Sequence, residues 1–166
     1  MFYETSEYTF VSDLEMAWKK IYKEYCLVKD QLEDWVERDL YDQGWQVYPL
    51  FTFPHGEPIE PHGERCPITT EMIRSCFPHH GVAGFSTLKP RTVIHPHEGY
   101  PGEFLRCHLG LSVPEGDCML EVQGERYSWQ TGKVLIFDDR VPHAAWNRTD
   151  ESRVVLLVDF IPDPTI

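Results

Sequence analysis

The chain has 166 residues and a formal charge of −12 at pH 7, enough length for one domain, residues 1–166, whose core needs no disulfide support. Such a charge argues against a nucleic-acid backbone or an anionic membrane surface as partner. No run of about 18 apolar residues is present to span a bilayer. Met1 to Phe10 lacks the basic and apolar regions of a secretory signal. Five cysteines, an odd number with no C-x-x-C pair, fit a reduced cytoplasmic protein, with a Cys66–Cys76 bridge left open.

Ser12-Asp13-Leu14-Glu15 is a capping-box pattern, and Leu14, Trp18, Ile21, Tyr22 and Tyr25 follow at helical spacing, so one amphipathic helix is expected to about Val28. A second helix is expected over Gln31–Asp42, with Leu32, Trp35, Val36 and Leu40 inward and Gly44 as its stop. Gln46–Phe53 alternates and reads as a strand. Pro54 to Arg65 is rich in Pro and Gly and reads as a loop, either covering a substrate or bridging in solvent; its His55 and His62 are expected to be exposed. A short helix begins near Cys66, capped by Thr69 or Thr70, and Gly81 marks a turn.

Ala83–Val93 is the next strand region, followed by His97 and a turn at Gly99-Tyr100-Pro101-Gly102. From Leu105 the alternation is strict. Leu105, Cys107, Leu109, Leu111 and Val113 share one face, and Arg106, His108, Gly110 and Ser112 the other. A cation and an imidazole on one strand face suggest the lining of a polar cavity. A turn at Pro114–Asp117, a hairpin of Met119–Val122 and Arg126–Trp129 about Gly124, and strands at Val134–Phe137 and Arg153–Phe160 complete the chain. Short strands punctuated by turns, with two helices on one flank, make a mainly β sandwich or barrel.

In the last strand Arg153 shares parity with Val155, Leu157 and Asp159. A buried cation must be paired, and a guanidinium suits bidentate carboxylate binding. The plainer reading pairs Arg153 with Asp150 or Glu151 at an edge.

Five pieces, in this order, resemble the catalytic domain of the aspartyl/asparaginyl β-hydroxylases: His97-Glu98-Gly99, Leu105 to Leu111, Gly132 to Asp139, His143 with Trp146, and Arg153 in a final apolar strand. Their order and spacing match from about Phe85 to Asp159, with looser similarity through Gly44-Trp45 and the amino-terminal helices. The resemblance implies a double-stranded β-helix (jelly roll, cupin-like) with N-terminal flanking α-helices. It also implies a non-haem Fe(II)- and 2-oxoglutarate-dependent dioxygenase using O2. His97 and His143 would be the catalytic metal ligands, and Arg153 with Ser86 would hold the distal carboxylate of 2-oxoglutarate. His108 would contact its metal-bound carboxylate, Arg106 an acid group of substrate or cosubstrate, and Trp146 would wall the substrate pocket.

Most such enzymes add a carboxylate two residues after the first histidine. Here that residue is Gly99, which cannot ligate. The family resembled uses two histidines with glycine at this place, so the missing carboxylate agrees with it. Asp138 and Asp139 read as turn residues rather than ligands. Members acting on Asp or Asn carry a second Arg two positions before Arg106, where this chain has Phe104. The expected reaction is hydroxylation of an unactivated C–H bond, foremost the β-carbon of an Asp- or Asn-like amino acid, free, carrier-bound or in a peptide. A halogenase with chloride at the missing ligand, a cupin-type metalloenzyme without 2-oxoglutarate and a non-catalytic binding domain stay open.

Overall fold

The computed structural model describes residues 1–163. Strand β1 (Phe2–Tyr3) precedes helices α1 (Phe10–Met16) and α2 (Trp18–Val28). The capping-box helix is thus two helices. They join at Ala17, whose N–H is shared between the Asp13 and Leu14 carbonyls.

The helix expected over Gln31–Asp42 does not form. Strand β2 (Glu33–Asp34) and a 3₁₀ turn at Arg38–Leu40 take its place. Trp35 stacks on Trp45 with ring centroids 4.5 Å apart, and its backbone N–H donates to the Trp45 carbonyl at 2.8 Å. One aromatic stack and a strand pairing outweigh a helical apolar period, and Val36 turns outward.

Strand β3 (Trp45–Phe51) leads through the loop to α3 (His62–Arg65) and α4 (Pro67–Cys76). His62 is not simply exposed: it stacks on Tyr48 at 4.1 Å. Neither Thr69 nor Thr70 caps α4, whose cap position is Cys66. The acceptor comes from α2 instead. The buried Glu24 carboxylate accepts from Ile68 N–H at 3.0 Å, Thr69 N–H at 2.6 Å and the Thr69 hydroxyl at 2.7 Å.

The remaining strands are β4 (His80–Leu88), β5 (Thr92–His97), β6 (Leu105–Ser112), β7 (Cys118–Val122), β8 (Glu125–Tyr127), β9 (Val134–Phe137), β10 (His143–Asn147) and β11 (Arg153–Phe160). Gly81 lies inside β4 rather than at a turn. The region Ala83–Val93 is two strands, separated by a turn with Arg91 at φ 63°. They enter different sheets: the larger has the order β1-β9-β6-β11-β4-β3-β2, the smaller β5-β10-β7-β8. All pairings are antiparallel. The chain is a mainly β jelly roll with helices on the outer face of its larger sheet.

Strand parity sorts the core into two layers. Leu105, Cys107, Leu109 and Leu111 of β6, and Val154, Leu156, Val158 and Phe160 of β11, pack under the helices. Val155 faces the smaller sheet with Leu120, Val122 and Ala145; Val113, beyond the end of β6, joins that layer too. Gly110 is required by close approach, since a Cβ there would collide with the Gln130 carbonyl. All five cysteines, Cys66 and Cys76 included, are free thiols, and burial pushes Cys66 up to about 12. Among the described residues no helix is long and apolar enough to cross a membrane.

Removing the Glu24 acceptor strands two backbone donors and a hydroxyl. Glu24→Ala should lower unfolding free energy by about 2–3 kcal/mol, the scale of a charge-assisted hydrogen bond. Glu24→Gln should cost less. Urea denaturation with an unchanged slope is the check.

Candidate active site

Cross-strand register sets His97 of β5 opposite His143 of β10, with ring centroids 4.3 Å apart. Each imidazole is oriented by a carbonyl: His97 Nδ1 lies 2.8 Å from the His95 oxygen, and His143 Nδ1 2.8 Å from the Val141 oxygen. A carbonyl only accepts, so each Nδ1 carries a hydrogen, and Nε2 is the nitrogen left for another partner. This is the arrangement of an outer-shell-oriented metal ligand. Burial drives His143 down to about 4, so it is neutral at pH 7 and able to donate the Nε2 lone pair. His95 is exposed and contributes only its carbonyl.

The larger sheet faces this pair with His108 on β6, Ser86 on β4 and Arg153 on β11, and all five side chains line one narrow cavity. The His108 ring is buried and neutral: burial first, then the charges of Arg153 and Arg106, hold its pKa well below the ordinary value. The Trp129 indole N–H donates to His108 Nδ1 at 3.0 Å. Indole can only donate, so His108 carries its hydrogen on Nε2, which is buried without a partner.

Ser86 is arranged in the same way. Its oxygen receives Trp45 Nε1 at 3.0 Å and the Arg153 guanidinium at 3.1 Å, which leaves its own hydrogen free to donate. Arg153 is 2% exposed, lies 4.4 Å from the Trp129 ring centroid and pairs with no carboxylate among the described residues. Its Nε has no partner, and burial lowers its pKa to about 10. The edge pairing with Asp150 does not form, because Asp150 is taken by Arg91. The cavity therefore offers unspent donors from Ser86, His108 and Arg153, a chemistry that selects an anionic acceptor.

Two expected roles need correction. Arg106 lines the cavity, but its guanidinium is already engaged, bonded to Asp159 at 2.7 and 2.9 Å and paired with Asp139 at 3.1 Å. It is no longer a free cation for a substrate or cosubstrate acid. Trp146 does not wall the pocket. In β10, His143 and Ala145 face inward, so Trp146 faces out, bonded to Asp117 at 2.6 Å between Arg126 and Arg148.

Asp138 and Asp139 each hold a neighbouring group. Asp138 binds Arg140 with both oxygens, and the Asp139 carbonyl accepts from Gly99 N–H at 2.7 Å. A Cβ at residue 99 would lie 2.5 Å from Asp139 Oδ2, so the carboxylate of Asp139 fills the space a ligating side chain would need. Among the described residues no group of three or more His, Cys, Asp or Glu is placed to hold a metal, and His97 and His143 stand as a pair.

The family model for aspartyl/asparaginyl beta-hydroxylase matches residues 15–162. The chain belongs to the aspartyl/asparaginyl β-hydroxylase family. Relatives include the ornithine lipid ester-linked acyl 2-hydroxylase of Rhizobium tropici, 39% identical over 72% of this chain and 42% of that protein. The human aspartyl/asparaginyl beta-hydroxylase is 31% identical over 94% of this chain and 21% of its own length. This member thus spans less than half of either relative. Two solved structures share the fold: a Pseudomonas putida prolyl-4-hydroxylase has a TM-score of 0.59 at 12% identity, covering 90% of this chain and 88% of that one. A Burkholderia pseudomallei oxidoreductase of the 2OG-Fe(II) oxygenase family has 0.56 at 12%, covering 77% and 71%.

Within this family member, Trp45 and Trp129 are site residues that sequence reasoning missed. Trp129 falls just past β8, and only its tertiary bond to His108 separates it from an ordinary core tryptophan. Trp129→Phe should free His108 Nδ1 and release the single tautomer. In ¹⁵N spectra of His-labelled protein, the His108 pattern should change from pure Nε2–H to a mixture, with the fold intact by circular dichroism.

Proposed function

We propose that this chain is an Fe(II)- and 2-oxoglutarate-dependent hydroxylase of an unactivated aliphatic C–H bond. The observation that carries the reading is Arg153, a buried guanidinium with no carboxylate partner among the described residues, in the same cavity as the paired, carbonyl-oriented His97 and His143. The donor set fits both groups. Two imidazoles whose Nδ1 atoms are spent on carbonyls suit Fe(II) through Nε2, and the orphaned donors suit the two ends of a dicarboxylate.

Iron and 2-oxoglutarate, when bound, supply the activation of O2; R–H, O2 and 2-oxoglutarate give R–OH, succinate and CO2. The protein's own residues bind and orient. Arg153 and the Ser86 hydroxyl would take the distal carboxylate, and His108 Nε2–H would donate to the other. Trp45 and Trp129 hold those donors in place and keep water from the apolar wall of Leu120, Phe137 and Leu157.

The halogenase alternative loses support. The Asp139 carboxylate lies against Gly99, and a carboxylate disfavours a neighbouring anion. A cupin-type reaction without a dicarboxylate gives no purpose to the free donors on Arg153 and His108. For the Asp- or Asn-like substrate that the resemblance implies, Arg106 is the cation left to meet an acid group, and its ion pairs with Asp139 and Asp159 weaken that support. A small-molecule or peptide partner, rather than nucleic acid, stays consistent with the charge of −12.

Anaerobic addition of Fe(II) and then 2-oxoglutarate should produce the weak visible charge-transfer band of a chelated 2-oxo acid. His97→Ala and His143→Ala should abolish it. Arg153→Ala should raise the half-saturating 2-oxoglutarate concentration about tenfold or more, since it removes a charge-assisted contact. Iron binding without a band would assign another metal chemistry; no iron binding would end the enzyme reading.

A further inference from the structure

A second cleft of about 200 Å³ opens on the far side of Arg106, the residue it shares with the histidine cavity. Its rim carries Val36, Phe53 and Tyr100, which are 84%, 52% and 60% exposed. These come from three separate segments, and Phe53 and Tyr100 lie with ring centroids 4.9 Å apart. Three of the largest exposed apolar side chains therefore gather around one opening, with Trp35 and Phe104 lining its walls.

Its floor is charged, and the sign is negative. Arg106 supplies one positive charge, while Asp139 and Asp159, both against it, supply two negative ones. Glu37 also lines the cleft and acts on Arg106. A carboxylate entering here would meet net negative charge in partly desolvated surroundings, whereas an ammonium would be attracted. The floor also adjoins the histidine pair, because the Asp139 carbonyl receives the N–H of Gly99, two residues beyond His97.

We propose that this cleft is the substrate site and that it takes an aliphatic chain bearing an amine, rather than an acidic amino-acid side chain. The chain lies between Val36, Phe53 and Tyr100, and its ammonium group is held by the Glu37, Asp139 and Asp159 carboxylates, so that its amine end meets the Arg106 wall shared with the histidine cavity. This assignment rests on the hydroxylase reading for its chemistry but not for its binding test.

The test is calorimetric titration of the full-length, metal-free protein with dodecylamine, dodecanoate and butylamine, all below micellar concentrations. Dodecylamine should bind at least about tenfold more tightly than dodecanoate, and butylamine should bind too weakly to measure, for want of a chain to bury. Val36→Ser and Tyr100→Ser, at exposed positions outside the histidine cavity, should weaken dodecylamine by about tenfold together. Glu37→Lys should narrow the preference for amine over acid. Dodecanoate binding as tightly as the amine, or no amphiphile binding, overturns the proposal. So does unchanged amine affinity in the Val36 and Tyr100 variants. Sedimentation equilibrium covers the other occupant: if those variants abolish self-association and leave amine binding intact, the face belongs to a second copy and the proposal fails. The iron and 2-oxoglutarate band separates the two readings. A band without amine binding sinks the substrate assignment alone, and amine binding without a band sinks the hydroxylase reading alone.

Discussion

Arg153 is a guanidinium held inside the protein with no acid to neutralise it among the described residues. It lies on β11, the strand between β6 and β4, where hydrogen bonds to both neighbours leave it no route to solvent. Two contacts to Ser86 and the face of Trp129 offset part of the desolvation. The rest stays uncompensated in the ligand-free protein, because the nearby acids are committed elsewhere. Asp150 holds Arg91, Asp117 holds Arg148, and Asp159 holds Arg106. A fold that places an unpaired charge at its centre carries a standing cost, and a bound carboxylate would remove it.

The neighbours of Arg153 extend the same pattern. Two indoles, from Trp45 and Trp129, spend their only hydrogens on Ser86 and His108. Each bond fills an acceptor and turns the remaining hydrogen outward, so the interior presents donors. Opposite them, two carbonyls fix the rings of His97 and His143. Free donors stand on one sheet and the histidine pair on the other. Arg106 divides this interior from the outer cleft, and its two carboxylate partners change the sign of the electrostatics from one side to the other.

Much of this arrangement is legible in the amino-acid sequence. The alternation in β6 places Arg106 and His108 inside, and the parity of β11 puts Arg153 with Leu157 against the cavity. The histidine pair and Ser86 follow from motif order and resemblance. What escapes depends on strand register or on single tertiary bonds. Arg106 and Asp159 are cross-strand partners separated by 53 residues, and no local pattern announces their pairing. The outward turn of Trp146 is hidden because β10 does not stand out as a strand; counting from His143 by twos puts it on the outer face. The region after Gln31 keeps a helical period, but Trp35 finds a better partner in Trp45 than a helix could supply.

The central claim is that Arg153 awaits a carboxylate, and thermal unfolding of the metal-free protein tests it most directly. With 2-oxoglutarate in about hundredfold excess over its dissociation constant, binding should add about 2.7 kcal/mol. That corresponds to roughly 5–10 °C in Tm for a chain of this size. Arg153→Met should be at least as stable as the parent without ligand, and 2-oxoglutarate should shift it by about half as much or less. A variant that melts well below the parent, yet responds to 2-oxoglutarate by the same number of degrees, would show that Arg153 serves the fold and that the cosubstrate binds elsewhere.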